Sequence, residues 1–213
     1  MAEESDENFQ PLAKRVKRSI EDDLICPITL ELPFDPVTAM DGQVYERHAI
    51  EKHIQKQDEE NTELRSPITN EFMEEDLLPA PRHKSIIELS IDNGTITGDL
   101  AENWLAKRKY KNKICTMLEK AKAGDVGAMR YLSKAFFFGR RDGGFMRDHE
   151  KALEWAQRAH CAGCVVGTCI LGVLLIENDE KRGQGMLYLG MAAGKGDPFA
   201  NYQIGKIYAK GMF

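Results

Sequence analysis

Metal or nucleophilic chemistry in this chain would have to come from few side chains, since 213 residues hold only five cysteines and five histidines. Cys26 is the one cysteine before Cys115, and the histidines around it are isolated in sequence. A structural zinc site needs four ligands in a tetrahedral cage, so neither a metal nor another cofactor is expected. The densest cluster is His160-Cys161 with Cys164 and Cys169. It falls in a helical pattern that calls for small residues, where free cysteine usually packs. The GMAAGKG run at 190–196 lacks the four residues a phosphate loop places between its first glycine and Gly-Lys, and no strand precedes it.

Other residues are notable for their order. Cys26-Pro27-Ile28-Thr29 is followed by Asp35-Pro36-Val37, Asp41-Gly42, Tyr45-Glu46-Arg47 with Ile50, and Ser66-Pro67-Ile68-Thr69-Asn70. Asp41-Gly42 lies between two short β-capable runs, the signal of a hairpin whose turn needs positive φ. Ile50 and Ile54, four apart, predict one buried face on the helix that follows. A polar loop at 58–63, a Pro-marked turn at Arg65-Ser66-Pro67 and a second helix over 84–91 complete a small α+β unit.

This series resembles a U-box over residues 22–91, with Ala80 and His83 departing from the usual pattern. A U-box is similar to a RING domain that has lost its metals and is held by hydrogen bonds, ion pairs and a small apolar core. The resemblance implies that Asp41, Tyr45, Glu46, Arg47 and Asn70 form the structural network. It implies a surface for a ubiquitin-charged conjugating enzyme made by Ile28, Leu30, His53, Ser66 and Pro67. Arg65 matches the residue that in this family can bond both enzyme and ubiquitin, orienting the thioester for attack, a positioning effect. The implied activity is transfer of ubiquitin to a substrate lysine with no covalent intermediate on this chain. Taken singly, Ile28 and Leu30 also suit a core, and Arg65 a turn.

Beyond Thr97-Gly98 the pattern becomes helical. Leu100, Trp104, Ile114, Leu118 and Ala121 form a stripe, and Lys107, Arg108, Lys109, Lys111 and Lys113 read as a solvated face or a contact for an acidic partner. An internal repeat then fills the chain to Phe213. Ala128, Gly167 and Ala200 align, as do Leu132, Leu171 and Ile204; Ser133, Gly172 and Gly205; and Phe136, Leu175 and Tyr208. A second helix aligns Ala152 with Gly185, Trp155 with Tyr188, and Ala159 with Ala192. Small residues let paired helices approach closely, and such units must stack to bury their faces. With KALEWAQRAHCAG and GDPFANYQIGKIYAKG, the array resembles Sel1-like repeats, a branch of the tetratricopeptide-type solenoids.

The resulting organisation is a disordered tail at 1–20, a U-box at 21–92, a linker at 93–98, a linking or capping helix at 99–123, and Sel1-like repeats at 124–213, the last incomplete. The fold class is an α+β U-box followed by an all-α solenoid of helical hairpins. The repeats are expected to recruit a protein substrate or partner. An alternative reading is a non-catalytic adaptor in which the U-box only docks. A net charge of −5 gives no general pull toward nucleic acid or acidic membranes. The uncharged run from Cys161 to Ile176 is short of the ~20 residues of a membrane span and is broken by three glycines. An acidic opening unlike a secretory signal and an odd cysteine count point to reduced thiols in the cytoplasm or the nucleus. The basic cluster Lys14, Arg15, Lys17 and Arg18 reads as a solvated tail or a nuclear import signal.

Overall fold

The computed structural model describes residues 21–139 and 146–211; the expected tail at 1–20, with its basic cluster, lies outside them. The chain forms two compact units that divide after Arg108. In the first, β1 (Pro36–Ala39) pairs antiparallel with both β2 (Val44–Glu46) and β3 (Leu77–Pro79), in the order β2-β1-β3. Between β1 and β2 the Gly42 N–H bonds the Ala39 carbonyl at 3.0 Å. Gly42 alone, with φ 79°, takes the left-handed position, the glycine place in a bulged hairpin turn. Asp41 keeps ordinary backbone geometry, which leaves its side chain free for another task.

Helix α1 (Arg47–Glu59) follows β2 directly, and α2 (Pro81–Asp92) follows β3. Pro81 opens α2, where its missing N–H costs nothing. On α2 Ile87 is fully buried, while Ile86 and Leu89 face solvent. Two small cores result. One gathers Cys26, Val37, Ala39, Tyr45, Ile50 and Met73. The other gathers Leu24, Leu32, Phe34, Ile87, Ile96, Ala101 and Trp104.

That second core alters the reading of the linker. Ile96, inside the 93–98 stretch expected to be a linker, is only 1% exposed, as is Trp104 on helix α3 (Asp99–Lys122). The Trp104 ring lies 5.4 Å from that of Phe34, and its indole N–H points to the Pro33 carbonyl at 3.4 Å. The first turns of α3 thus belong to the first unit. Lys107 also departs from the solvated face assigned to it, being 4% exposed with its Nζ 2.6 Å from Glu31 Oε2. It lies one helical turn beyond Trp104, so it shares the buried side.

The second unit comprises the rest of α3 with α4 (Val126–Phe138), α5 (His149–Cys161), α6 (Val165–Ile176), α7 (Arg182–Gly194) and α8 (Pro198–Ala209). Two of the three aligned repeats start with the same aspartate cap. Asp125 and Asp197 accept hydrogen bonds from the N–H groups of Ala128 and Ala200 at 2.7 and 2.8 Å, satisfying a helix-terminal donor. The second unit of the array has Cys164 at that place, with the same extended backbone and no side-chain cap. Helices pack closely at Gly167, where a Cβ would meet that of Ala159 at 2.5 Å, and at Gly172 and Gly185. A Cβ on Gly172 would meet the Gly185 carbonyl at 2.8 Å, and one on Gly185 would meet the Gly172 carbonyl at 2.7 Å. Ser133, aligned with Gly172, is fully buried and returns its hydroxyl to the Arg130 carbonyl of its own helix at 2.9 Å. Between α6 and α7 the chain makes a 3₁₀ turn at Asp179–Lys181, capped by the Asn178 side chain.

Of the cysteines assigned to repeat packing, Cys169 is buried, but Cys161 is exposed at a helix end and Cys164 is half-buried at a cap position. Burial, then the nearby Asp197 carboxylate, pushes the Cys169 thiol up to about 12. Among the described residues no cluster of His, Cys, Asp or Glu is arranged to hold a metal ion. No helix among them is long and apolar enough to cross a membrane.

Candidate functional site

The two Pro-Ile-Thr segments, forty residues apart, fold into the same loop. In the first, the Cys26 N–H donates to the Glu31 carbonyl at 2.9 Å and the Leu30 N–H to the Cys26 carbonyl at 2.8 Å. In the second, the Ser66 N–H donates to the Glu71 carbonyl at 2.9 Å and the Asn70 N–H to the Ser66 carbonyl at 3.0 Å. Thr29 and Thr69 each accept from the amide two residues on at 3.4 Å. Leu30 and Asn70 adopt φ of 56° and 58°. Asparagine tolerates that left-handed conformation, whereas leucine is uncommon there. The equivalence is written in the sequence as Cys-Pro-Ile-Thr-Leu-Glu and Ser-Pro-Ile-Thr-Asn-Glu, a repeat that motif matching passes over because each half is read as a separate signature.

The loops are anchored at their first residues by different chemistry. Ser66 Oγ donates to Asp41 Oδ2 at 2.6 Å while accepting from the Ile68 and Thr69 amides. The Tyr45 hydroxyl donates to the same Asp41 oxygen at 2.6 Å, and Asp41 Oδ1 accepts from the Gln43 N–H. Burial opposes charge on Asp41, but the bonds from Ser66, Tyr45 and Gln43 outweigh it and hold its carboxyl below the usual value. Burial, and then the bond to Asp41, pushes the Tyr45 phenol well above its ordinary range. Cys26 has a thiol in the position of the Ser66 hydroxyl, and its Sγ accepts from the Glu46 N–H at 3.2 Å.

The Glu46 carboxylate is nearly buried, accepts from the Phe34 and Asp35 amides, and lies 3.5 Å from His48 Nδ1. Burial raises its pKa, yet the adjacent His48 ring and the bonds from the two amides bring it below the ordinary value. Arg47 Nε meets Asp35 Oδ2 at 2.8 Å. Asp41, Tyr45, Glu46 and Arg47 thus tie the hairpin to the segments on either side. Asn70 contributes backbone: its N–H closes the second loop and its carbonyl accepts from Arg65.

On the outer surface Leu30 is 71% exposed, Ile68 51% and Ile28 37%. Leu30 and Ile68 line one groove with Pro27 and Val44. Pro67 is half-buried, and Ser66 is buried in the clamp. The ring of His53 on α1 bonds the Arg65 carbonyl at 2.9 Å, tying that helix to the second loop. The Arg65 guanidinium, partly exposed, folds back on its own loop, with Glu63 at 2.9 Å and the Asn70 carbonyl at 3.1 Å.

The U-box domain family model matches residues 20–90. The Homo sapiens WD repeat, SAM and U-box domain-containing protein 1 is 42% identical over 64 residues, 30% of this chain and 12% of that protein. The Arabidopsis thaliana U-box domain-containing protein 43 is 32% identical over 114 residues, 48% of this chain and 14% of that protein. The C-terminal region matches the Arabidopsis thaliana ERAD-associated E3 ubiquitin-protein ligase component HRD3B, 35% identical over 95 residues, 43% of this chain and 14% of that protein. The chain therefore spans only 12 to 14% of the length of these relatives. Among solved structures, a protective antigen of uropathogenic Escherichia coli with an SLR fold aligns at a TM-score of 0.37 and 26% identity, over 46% of this chain and 21% of that one. Residues 20–90 carry a U-box domain, and the helical hairpins after it are similar to the matched part of HRD3B.

Proposed function

We propose that this chain is a ubiquitin ligase that binds a ubiquitin-charged conjugating enzyme and promotes transfer to substrate lysines. In this reading the reactive cysteine stays on the conjugating enzyme. The observation that carries it is the pair of equivalent loops, held from behind by the Asp41 carboxylate on Ser66 and the Glu46 N–H on Cys26, that leave Ile28, Leu30 and Ile68 in solvent. Exposed apolar residues on rigid, hydrogen-bonded loops are what a recognition surface requires, because little ordering is left to be done on binding. Ile28, Leu30 and Pro67 contact the enzyme, with His53 and Ser66 fixing the second loop. Arg65 exchanges its contacts with Glu63 and Asn70 for the enzyme and ubiquitin, favouring the closed conjugate. The Sel1-like hairpins recruit substrates or partners, and the chain works in the cytoplasm or the nucleus.

The test is discharge of ubiquitin from a panel of charged conjugating enzymes onto free lysine. Ile28→Ala should weaken binding of the bare enzyme by more than tenfold, since truncating a well-packed interface anchor costs about 2 kcal/mol or more. Arg65→Ala should leave that binding nearly unchanged and slow discharge. A wild-type chain that stimulates no discharge across the panel would leave the adaptor role instead.

A further inference from the structure

The two equivalent loops differ at their closing glutamate. Glu71 is exposed, and among the described residues no lysine or arginine pairs with it. Glu31 receives the ammonium of Lys107 at 2.6 Å, and that lysine is almost wholly buried. Lysine is seldom buried to this degree unless paired, and an apolar residue would fill the same space at least as stably. A charge at this place on α3 is therefore spent on something other than packing.

The first loop has a need that the second lacks. Ser66 Oγ makes three hydrogen bonds, to Asp41 and to the Ile68 and Thr69 amides, whereas Cys26 Sγ accepts one, from Glu46. The first loop must also hold Leu30 at φ 56° with its side chain in solvent. Such a backbone persists only where the surroundings over-determine it. Glu31 is the next residue, and its carbonyl closes the loop on Cys26. Fixing its carboxylate fixes the end of the loop beside the strained residue.

We propose that Lys107, from outside the matched U-box segment, is a positioning residue that holds the 26–31 loop in its docking shape through Glu31. The consequence for enzyme binding rests on the ligase reading; the restraint on the loop does not. Trp104, one turn earlier, brings α3 into register by its bond to Pro33 and its contact with Phe34. The first turns of α3 are then a working part of the docking module.

The test uses the full chain with Lys107→Met, which keeps an unbranched apolar stem and removes the charge, and Lys107→Arg, which keeps it. Amide hydrogen exchange should rise at least tenfold across 26–31 in the Met variant and stay as in wild type across 66–71, with the unfolding midpoint little changed. Affinity for a conjugating enzyme should fall at least fivefold, and Lys107→Arg should restore most of both. Unchanged exchange at 26–31 overturns the proposal, as does faster exchange with full affinity retained. If the wild type binds no conjugating enzyme at all, the ligase reading fails and the exchange result alone decides the restraint. Should Lys107→Met unfold the unit, the reversed pair Glu31→Lys with Lys107→Glu decides. Native exchange at 26–31 in that chain supports the ion pair, and its loss overturns it.

Discussion

Asp41 in the first unit and Gly172 in the second each sit where two segments meet, and they hold those segments in opposite ways. Asp41 joins a hairpin to a loop by accepting two hydroxyl donors and one amide. Gly172 lets α6 approach α7 until backbone meets backbone. A short-stranded, loop-rich unit has little apolar area to bury, so directional bonds fix its shape. A stack of helices has backbone bonds already satisfied within each helix, so shape depends on the volume left between them. The lesson is that polar residues need scrutiny in the one unit and missing side chains in the other.

The largest effect should come from Asp41→Ala. It strands the Tyr45 and Ser66 hydroxyls, both buried, and each unsatisfied buried donor costs about 1–3 kcal/mol. We expect a loss of about 3 kcal/mol in the first unit, read by amide exchange over 36–46, with protection of α6 and α7 unaltered. Acid should act on the same clamp. The carboxyls of Asp41 and Glu46 lie below their ordinary values, so both bind protons more readily when unfolded. Their contribution is complete above the unfolded pKa and is lost as pH falls through the folded one. Exchange over 36–46 should therefore quicken below about pH 4 before that of the α6–α7 pair. If α6 and α7 open first in acid, the contrast between the units is wrong.

Gly172→Ala should cost the second unit about 2 kcal/mol through overpacking. Gly205, at the aligned place in the next repeat, has nothing within 4 Å of an added Cβ. Gly205→Ala should stabilise by roughly 1 kcal/mol, the ordinary helical preference for alanine over glycine. Opposite signs in denaturant midpoints would show that contact, not repeat position, governs the glycine. Smallest is Cys164→Asp, which gives α6 the cap that Asp125 and Asp197 give α4 and α8. A gain of about 1 kcal/mol is expected, measured as a raised unfolding midpoint of the repeats.

Much of this was legible in sequence because it is local. Motif order marks the U-box, and the aligned small and large residues mark the helical hairpins. What escaped depends on which way a side chain turns. Lys107 lies in a run of basic residues, so composition placed it in water, although its spacing from Trp104 puts it on the buried side. The stretch 93–98 carries two glycines and reads as a boundary, yet Ile96 between them is core. Arg65 could be placed beside Ser66-Pro67 from its position, but its partners Glu63 and Asn70 follow from rotamer and loop geometry. The matching hexapeptides at 26–31 and 66–71 were visible as letters, and their equivalence emerges only when the hydrogen bonds are compared.

The thiol of Cys26 is wholly enclosed, while those of Cys115 and Cys161 are open to solvent. A thiol reagent reaches an enclosed sulfur only during a local opening. Once the open thiols have been blocked, the slow labelling of Cys26, separated by peptide mapping from that of the buried Cys169, becomes a clock for how often the 26–31 loop comes away from β2. That clock runs in the unmodified sequence and needs neither a partner enzyme nor ubiquitin.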